Sequence, residues 1–371
     1  MSGKVPLVDL AAQHREIANE IMVGLAGVFE NTSFVLGPAV KEFETAYAKF
    51  VGAKHCIGVA NGTDALELAL RAVGIGPGDE VILPTNTFIA TALAVARAGA
   101  TPVLVDCDPT YQLIDVAQVE GRITPRTRAI IPVHLFGQMA PMEALRQLAS
   151  ARKLSLVEDA AQAQGAAQGG ARAGTQGVAA GTSFYPGKNL GAYGDAGAVT
   201  TDSDEVAAKI RALRNYGSEV KYHHPETGFN SRLDTVQAVI LSAKLARLAG
   251  WNQARRQAAG RYDELLAGLT QVEAPRTLAG NEHVFHLYVI RVPRRDEVLA
   301  RLNAEGIGAG IHYPVPIHLQ GAFKHLGHKA GDFPVAEKAG AEILSLPLFP
   351  QITAEQQARV VDVLKRALVM S

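Results

Sequence analysis

From Lys54 to Ala160 the chain alternates two kinds of segment, and this alternation limits the fold more than any other feature. Short runs that are apolar on both faces, "HCIGVA", "EVILPT", "TPVLVDCD", "RAIIPVHLF" and "LSLVEDA", are separated by segments of helical periodicity such as "TDALELALRAVG", "FIATALAVARAG" and "MEALRQLASARK". Strands without a polar face must be covered on both sides. Helices between them supply the cover and bring each strand back parallel to the last. The expected fold class is therefore α/β, a mostly parallel central sheet clothed in helices. Ligands of such sheets bind beyond the carboxyl ends of the strands. That rule puts "ANGTD", "PTNTF" and "EDAAQ" on one rim.

After Gly191 the pattern changes. "GAVTT" reads as a strand, and "SDEVAAKIRALRN", "TVQAVILSAKLARL" and "NQARRQAAGRYDELLAGL" read as helices. The last third mixes short strands and helices, including "FHLYVIRV", "RDEVLARLNAEG", "GAGIHY" and a final amphipathic helix. A chain of 371 residues exceeds one ordinary core. The expected division is a large domain over 1–250 and a smaller α+β domain over 251–371. Lys and Arg number 36, as do Asp and Glu, so no basic nucleic-acid surface is expected. Cys56 and Cys107 sit in apolar runs and read as small core residues of a reducing compartment. No apolar run approaches the roughly 18 residues of a membrane span. The N-terminus lacks the apolar stretch of a signal peptide. These features predict a cytoplasmic protein.

Several motifs have ordinary readings. "GIGPGD" follows a helix, not a strand, and reads as a turn. No matching Cys, Asp or Glu cluster stands near His223/His224 or His325/His328 in the sequence, so no metal site is expected. In "NGTD", Gly62 permits close backbone approach, Thr63 reads as a helix cap, and the helix start offers free N–H groups to a phosphate. Alone, that is a plain capped helix. Asp159 ends an apolar strand, where a carboxylate needs a partner such as a protonated heterocyclic nitrogen. Alone, "DAAQ" is a helix cap. Gln162 lies close enough to meet a ring oxygen, and Phe88 to stack on a ring. Lys188 sits in "SFYPGKNLGAYGDAGAV". A lysine among glycines is ordinarily a solvated surface residue, but a buried one loses its proton readily enough to form an imine. Gly187, Gly191 and Gly194 would let its loop pass close to a planar ring. Ser183 stands five residues earlier, in reach of the same phosphate. A phosphate seat, a stacking ring, a pyridinium partner and an imine-forming lysine are complementary roles, all on one expected rim.

With these residues the chain resembles the DegT/StrS family of sugar-nucleotide aminotransferases, fold type I enzymes dependent on pyridoxal 5'-phosphate (PLP). The resemblance runs over nearly the whole length, through "FVLGPAVKEFE", "ANGTDALELAL", "PTNTFIATALA", "EDAAQAQGA", "SFYPGKNLGAYGDAGAV", "GFNSRLDTVQAVIL" and "HYPVPIHLQ". It implies that Lys188 carries PLP as an imine and moves the substrate proton. It implies Asp159 at the pyridine nitrogen, Gln162 at the ring hydroxyl and Phe88 over the ring. Gly62, Thr63 and Ser183 would hold the phosphate, with Asn230 reaching it from the other subunit of a homodimer. Tyr185, His223, His312 and Tyr313 are implied as substrate contacts. The amino donor would be L-glutamate. The acceptor would be a nucleotide-linked keto sugar, in the first instance a dTDP-3-keto-6-deoxyhexose aminated at C3; UDP-linked 3-keto or 4-keto sugars are the alternative. Relatives with histidine in place of the lysine are dehydratases, and this chain has Lys188. A PLP-binding regulatory protein without catalysis is a further alternative.

Overall fold

A computed structural model describes residues 3–370 except 219 and 221, with the side chain of 370 also left out. Two helices, α1 (Leu10–Glu30) and α2 (Pro38–Val51), precede the alternating region. There, β1 (His55–Val59), α3 (Gly62–Ala72), β2 (Glu80–Pro84), α4 (Ile89–Arg97), β3 (Thr101–Val105), α5 (Val116–Gly121), β4 (Thr127–Ile130), α6 (Met142–Arg152) and β5 (Ser155–Asp159) follow in turn. The chain continues through β6 (Ala167–Gln168), β7 (Ala171–Arg172), β8 (Ala179–Ser183), β9 (Gly197–Thr201), α7 (Asp204–Leu213) and α8 (Thr235–Leu266). The last third holds β10 (Asn281–Glu282), β11 (Tyr288–Arg291), α9 (Arg295–Ala304), α10 (Pro334–Glu342), β12 (Ile343–Leu346) and α11 (Ala354–Met370).

The main sheet has seven strands in the order β1-β9-β8-β5-β4-β2-β3. All run parallel except β9, which is antiparallel to both β1 and β8. Every residue of β2 and of β9 is buried, as two-sided cover requires. Because the strands are parallel, their carboxyl ends collect on one rim. That rim presents Asn61 after β1, Thr87 and Phe88 after β2, Asp159 at the end of β5 and Ser183 at the end of β8. The reversal of β9 brings its first residue, Gly197, back to the same rim, opposite Val59 and Ser183.

The two helices expected on either side of Gly250 are one continuous helix, α8, with Gly250 in its interior. No atom lies near a Cβ built at Gly250, so glycine there is an exposed helical position and not a break. A second apolar core joins the last turns of α8 (Ala258, Tyr262) to β11, β12 and α11. Val5 enters this core from the other end of the sequence and bridges to Ile307. Conversely, Ile317, Phe323, Phe333 and Ala339 pack into the core of the main sheet. Both cysteines are buried and unpaired.

Candidate active site

Lys188 lies on the loop between β8 and β9, and the loop is firmly held. Phe184 is fully buried and packs edge-on against Phe43 and Tyr47, with centroids 5.4 and 5.3 Å away. Leu190 is fully buried on the other side of Lys188. The Lys188 N–H donates to the Tyr185 carbonyl at 2.8 Å, and the Ala192 N–H to that of Phe184 at 2.7 Å. A Cβ at Gly191 would stand 2.3 Å from the Pro186 carbonyl oxygen, so this glycine is required by close packing, not by mobility. Burial draws the Lys188 amine down to about pKa 8, while the carboxylate of Asp159 acts in the opposite direction.

Asp159 is buried, and both carboxylate oxygens are engaged. The Thr91 hydroxyl donates to Oδ2 at 2.7 Å, and the Ala161 N–H donates to Oδ1 at 3.1 Å. The chain after Asp159 forms a turn and not a helix, so the cap reading of "DAAQ" does not hold. Burial raises the Asp159 pKa; Thr91, Ala161, Lys188 and His134 oppose it. Behind the strand, Glu158 is buried against His134 at 2.8 Å and accepts three backbone N–H groups, from Gly174, Gln176 and Gly177.

Gln162 sits in the turn after β5. Its Oε1 accepts the Phe136 N–H at 2.6 Å, and its Nε2 donates to the Tyr313 hydroxyl at 3.1 Å. Phe136 has φ of 61°, a left-handed conformation that costs a bulky side chain roughly 1–3 kcal/mol. The Tyr313 ring tilts against Phe88 with centroids 5.1 Å apart. Phe88 caps the N-terminus of α4 and remains half-exposed. His312 pairs with the Ser345 hydroxyl at 2.8 Å, and burial with nearby Lys188 depresses its pKa to about 4. Tyr185 is exposed beside Ser183, whose Oγ accepts the Tyr185 N–H.

At the start of α3 the cap is Asn61, not Thr63. Its side chain accepts the Asp64 N–H at 2.8 Å, and its carbonyl accepts the Ala65 N–H. Thr63 is the second helical residue. The N–H groups of Gly62 and Thr63 precede the first intrahelical bond and stay available. A Cβ on Gly62 would lie 2.5 Å from Cβ of Ser183, and one on Gly197 would lie 2.4 Å from the Asn61 carbonyl. Glycine is thus required on both sides of this small cradle.

Lys188, Asp159, Gln162, Phe88, His312 and Tyr313 form one linked cluster, and Gly62, Thr63 and Ser183 adjoin it on the same rim. His223 and Asn230 stand apart. His223 is exposed in a turn bridged to Val220, and Asn230 is exposed and bridged to Asn215. The next residue, Ser231, reaches the α3 start, bonding Asp64 and Ala60. The sequence reading missed Thr91, Asn189 and His286. Asn189 donates to Asn252 and to the Val284 carbonyl, and its Oδ1 faces His286 Nδ1 at 3.2 Å. Burial, with nearby Lys188 and Arg255, pushes the His286 pKa well below the usual imidazole value. Thr91 was detectable in principle, since it falls on the first turn of α4, three residues after Phe88. His286 lies 98 residues from Lys188 and carries no local signal.

Residues 15–365 match the model of the DegT/DnrJ/EryC1/StrS aminotransferase family. The chain belongs to this family, and it is an aminotransferase. It is 50% identical over 360 residues to the pleiotropic regulatory protein of Geobacillus stearothermophilus, covering 96% of this chain and 97% of that one. It is 46% identical to the dTDP-3-amino-3,4,6-trideoxy-alpha-D-glucose transaminase of Streptomyces venezuelae, covering 98% and 96%. It is 48% identical to the UDP-N-acetyl-3-dehydro-alpha-D-glucosamine 3-aminotransferase of Acidithiobacillus ferrooxidans, covering 98% of each. Among solved structures, S. venezuelae DesV in complex with a ketimine intermediate superimposes with a TM-score of 0.96 at 46% identity, covering 98% of both chains. NtdA of Bacillus subtilis with bound cofactor PMP superimposes with a TM-score of 0.91 at 34% identity, covering 100% of this chain and 86% of that one. Among the described residues no helix is long and apolar enough to cross a membrane.

Proposed function

We propose that the enzyme uses PLP to transfer the amino group of L-glutamate to C3 of a nucleotide-linked 3-keto-6-deoxyhexose, with dTDP as the nucleotide. The observation that carries this reading is a buried lysine with a depressed pKa beside a buried, doubly bonded carboxylate, next to a glycine-lined helix start on the same rim. The sugar is inferred from the S. venezuelae relative, whose name specifies a dTDP-linked 3-amino sugar. The A. ferrooxidans relative has similar identity and a UDP-linked substrate, so it supports UDP as the second reading.

The residues fit the cofactor. The free N–H groups of Gly62 and Thr63 and the Ser183 hydroxyl suit a phosphate, helped by the positive end of the α3 dipole. Asp159 would hold the ring nitrogen protonated, Gln162 would meet the ring hydroxyl, and Phe88 would cover the ring. When bound, PLP supplies an electron sink for charge developing beside the transferred nitrogen. Lys188 Nζ would hold the cofactor covalently and would carry the substrate proton. With its pKa near 8, Nζ exchanges that proton at little cost near neutral pH. Tyr185, His312 and Tyr313 would line the sugar side.

The outward-facing His223 and Asn230 suit a homodimer with shared sites, in which Asn230 meets the partner's phosphate and His223 the partner's sugar nucleotide. Mixing Lys188→Ala with Asn230→Ala protein and allowing subunit exchange should restore activity, because a mixed dimer contains one intact site. No restoration would mean self-sufficient subunits. The substrate is tested by incubating holoenzyme and L-glutamate with dTDP- and UDP-linked 3-keto sugars, with products identified by mass and NMR. A 3-amino dTDP sugar is expected. Faster turnover of the UDP sugar would favour the second reading. PLP binding without turnover of any keto sugar would favour a regulatory role, which the name of the G. stearothermophilus relative brings into view.

A further inference from the structure

The Asp159 carboxylate is approached from α4 by a chain of two hydroxyls. Thr91 Oγ1 lies 2.7 Å from Asp159 Oδ2, and Thr87 Oγ1 lies 3.0 Å from Thr91 Oγ1. Thr87, Thr91 and Asp159 are all buried. An ionised carboxylate only accepts, so the Thr91 proton points at Oδ2. Its oxygen is then left to accept from Thr87, and the proton order along the chain is fixed. Thr91 sits on the first turn of α4, and its N–H donates to the carbonyl of Phe88 at 3.2 Å. One helical turn therefore sets both Phe88 and the hydroxyl on Asp159.

We propose that Thr91, backed by Thr87, is a positioning residue that fixes Asp159 as an acceptor-only carboxylate and so keeps the ring nitrogen of the cofactor protonated. This rests on the PLP reading given above. Lys188 from the β8–β9 loop, His134 from the segment after β4 and Tyr313 from the segment between α9 and α10 also bear on Asp159. Among the described residues, Thr91 is the side chain that bonds the Asp159 carboxylate directly. Buried, it keeps that bond free of competition from water.

The test reads the ring nitrogen itself. Apoprotein is loaded with PLP carrying ¹⁵N in the ring, and its chemical shift is recorded for wild type, Thr91→Val, Thr91→Ser, Asp159→Asn and the Thr91→Val/Asp159→Asn double variant. Wild type and Thr91→Ser should give the protonated signature. Thr91→Val should move the shift toward neutral pyridine and slow amino transfer roughly ten-fold, as for one lost charge-assisted hydrogen bond. In the Asp159→Asn background, Thr91→Val should add nothing. A wild-type shift in Thr91→Val, with Asp159→Asn displaced, overturns the inference and leaves the PLP reading intact. An undisplaced shift in Asp159→Asn overturns the assignment of Asp159 and this inference with it. An equal effect of Thr91→Val in both backgrounds also overturns it. If Thr91→Val does not fold, Thr87→Val must move the shift in the same direction, and an unchanged shift is contrary evidence of the same weight.

Discussion

Two lysines in this protein have the same depressed pKa of about 8, and they live in different surroundings. Lys188 stands on the rim of the sheet beside Asp159, with the Gly62–Ser183 cradle on the same rim. Lys244 is buried within α8, its ammonium 4.6 Å from the centre of the Tyr193 ring, and no ion pair joins it to a carboxylate among the described residues. Burial alone accounts for its shift. The contrast separates two things that a depressed pKa confounds. Desolvation makes an amine easy to deprotonate wherever it is buried. Under the proposed function chemistry needs more than desolvation, and of these two lysines it is Lys188 that has a buried carboxylate and a glycine-lined helix start on its rim.

Removing Lys188 should have the largest effect. Lys188→Ala should lose amino transfer by roughly 10⁴-fold or more, since both the covalent attachment and the proton carrier are gone. Single-turnover rates with L-glutamate check this; a near-normal rate would erase the distinction between the two lysines. Asp159→Asn comes next. Losing a charge-assisted hydrogen bond costs about 1.5–3 kcal/mol, roughly 10- to 150-fold in rate. Cofactor binding should largely persist, and an unaffected rate would return Asp159 to a structural role. Gly62→Ala places a methyl 2.5 Å from Ser183 Cβ, and overpacking of this kind typically costs about 1–3 kcal/mol. It should weaken PLP affinity about ten-fold or more while sparing the fold, as fluorescence titration of apoprotein would reveal.

Much of this was legible in the sequence because it is local. Apolar runs separated by helical periods fix a parallel sheet, and a parallel sheet puts Asn61, Phe88 and Asp159 on one rim. What escaped depends on distance or on detail. The identity of the α3 cap turned on side-chain reach, and Asn61 took the place expected for Thr63. The pairing of Asn189 with His286 spans two separate parts of the chain. α8 gave no sign of running unbroken through Gly250, because glycine in an exposed helix costs only about 1 kcal/mol relative to alanine. The glycines beside Lys188 read as room for a close approach to a ring, whereas Gly191 is required by packing against Pro186, and Phe184 and Leu190 anchor the loop in the core.

Lys244→Met should have the smallest effect on activity, and its effect on stability should depend on pH. The unfolded chain keeps this proton to about pH 10.4, while the folded protein releases it near 8. Between those values the unfolded state binds more protons, so this lysine makes stability rise with pH; below about 8 its full cost is present. From pH 7 to 9.5 its contribution should be on the order of 2 kcal/mol. Urea unfolding of Lys244→Met should lack that rise, and PLP binding should be unchanged. A variant with the wild-type pH profile would show that burial does not set this pKa.

The most direct measurement of the central claim is chemical trapping. Holoenzyme is reduced with borohydride, digested, and its peptides are weighed. The phosphopyridoxyl group should appear on the peptide containing Lys188, in proportion to bound cofactor, and nowhere else. The same label on Lys244, or spread over surface lysines with Lys188 unmodified, would contradict the account.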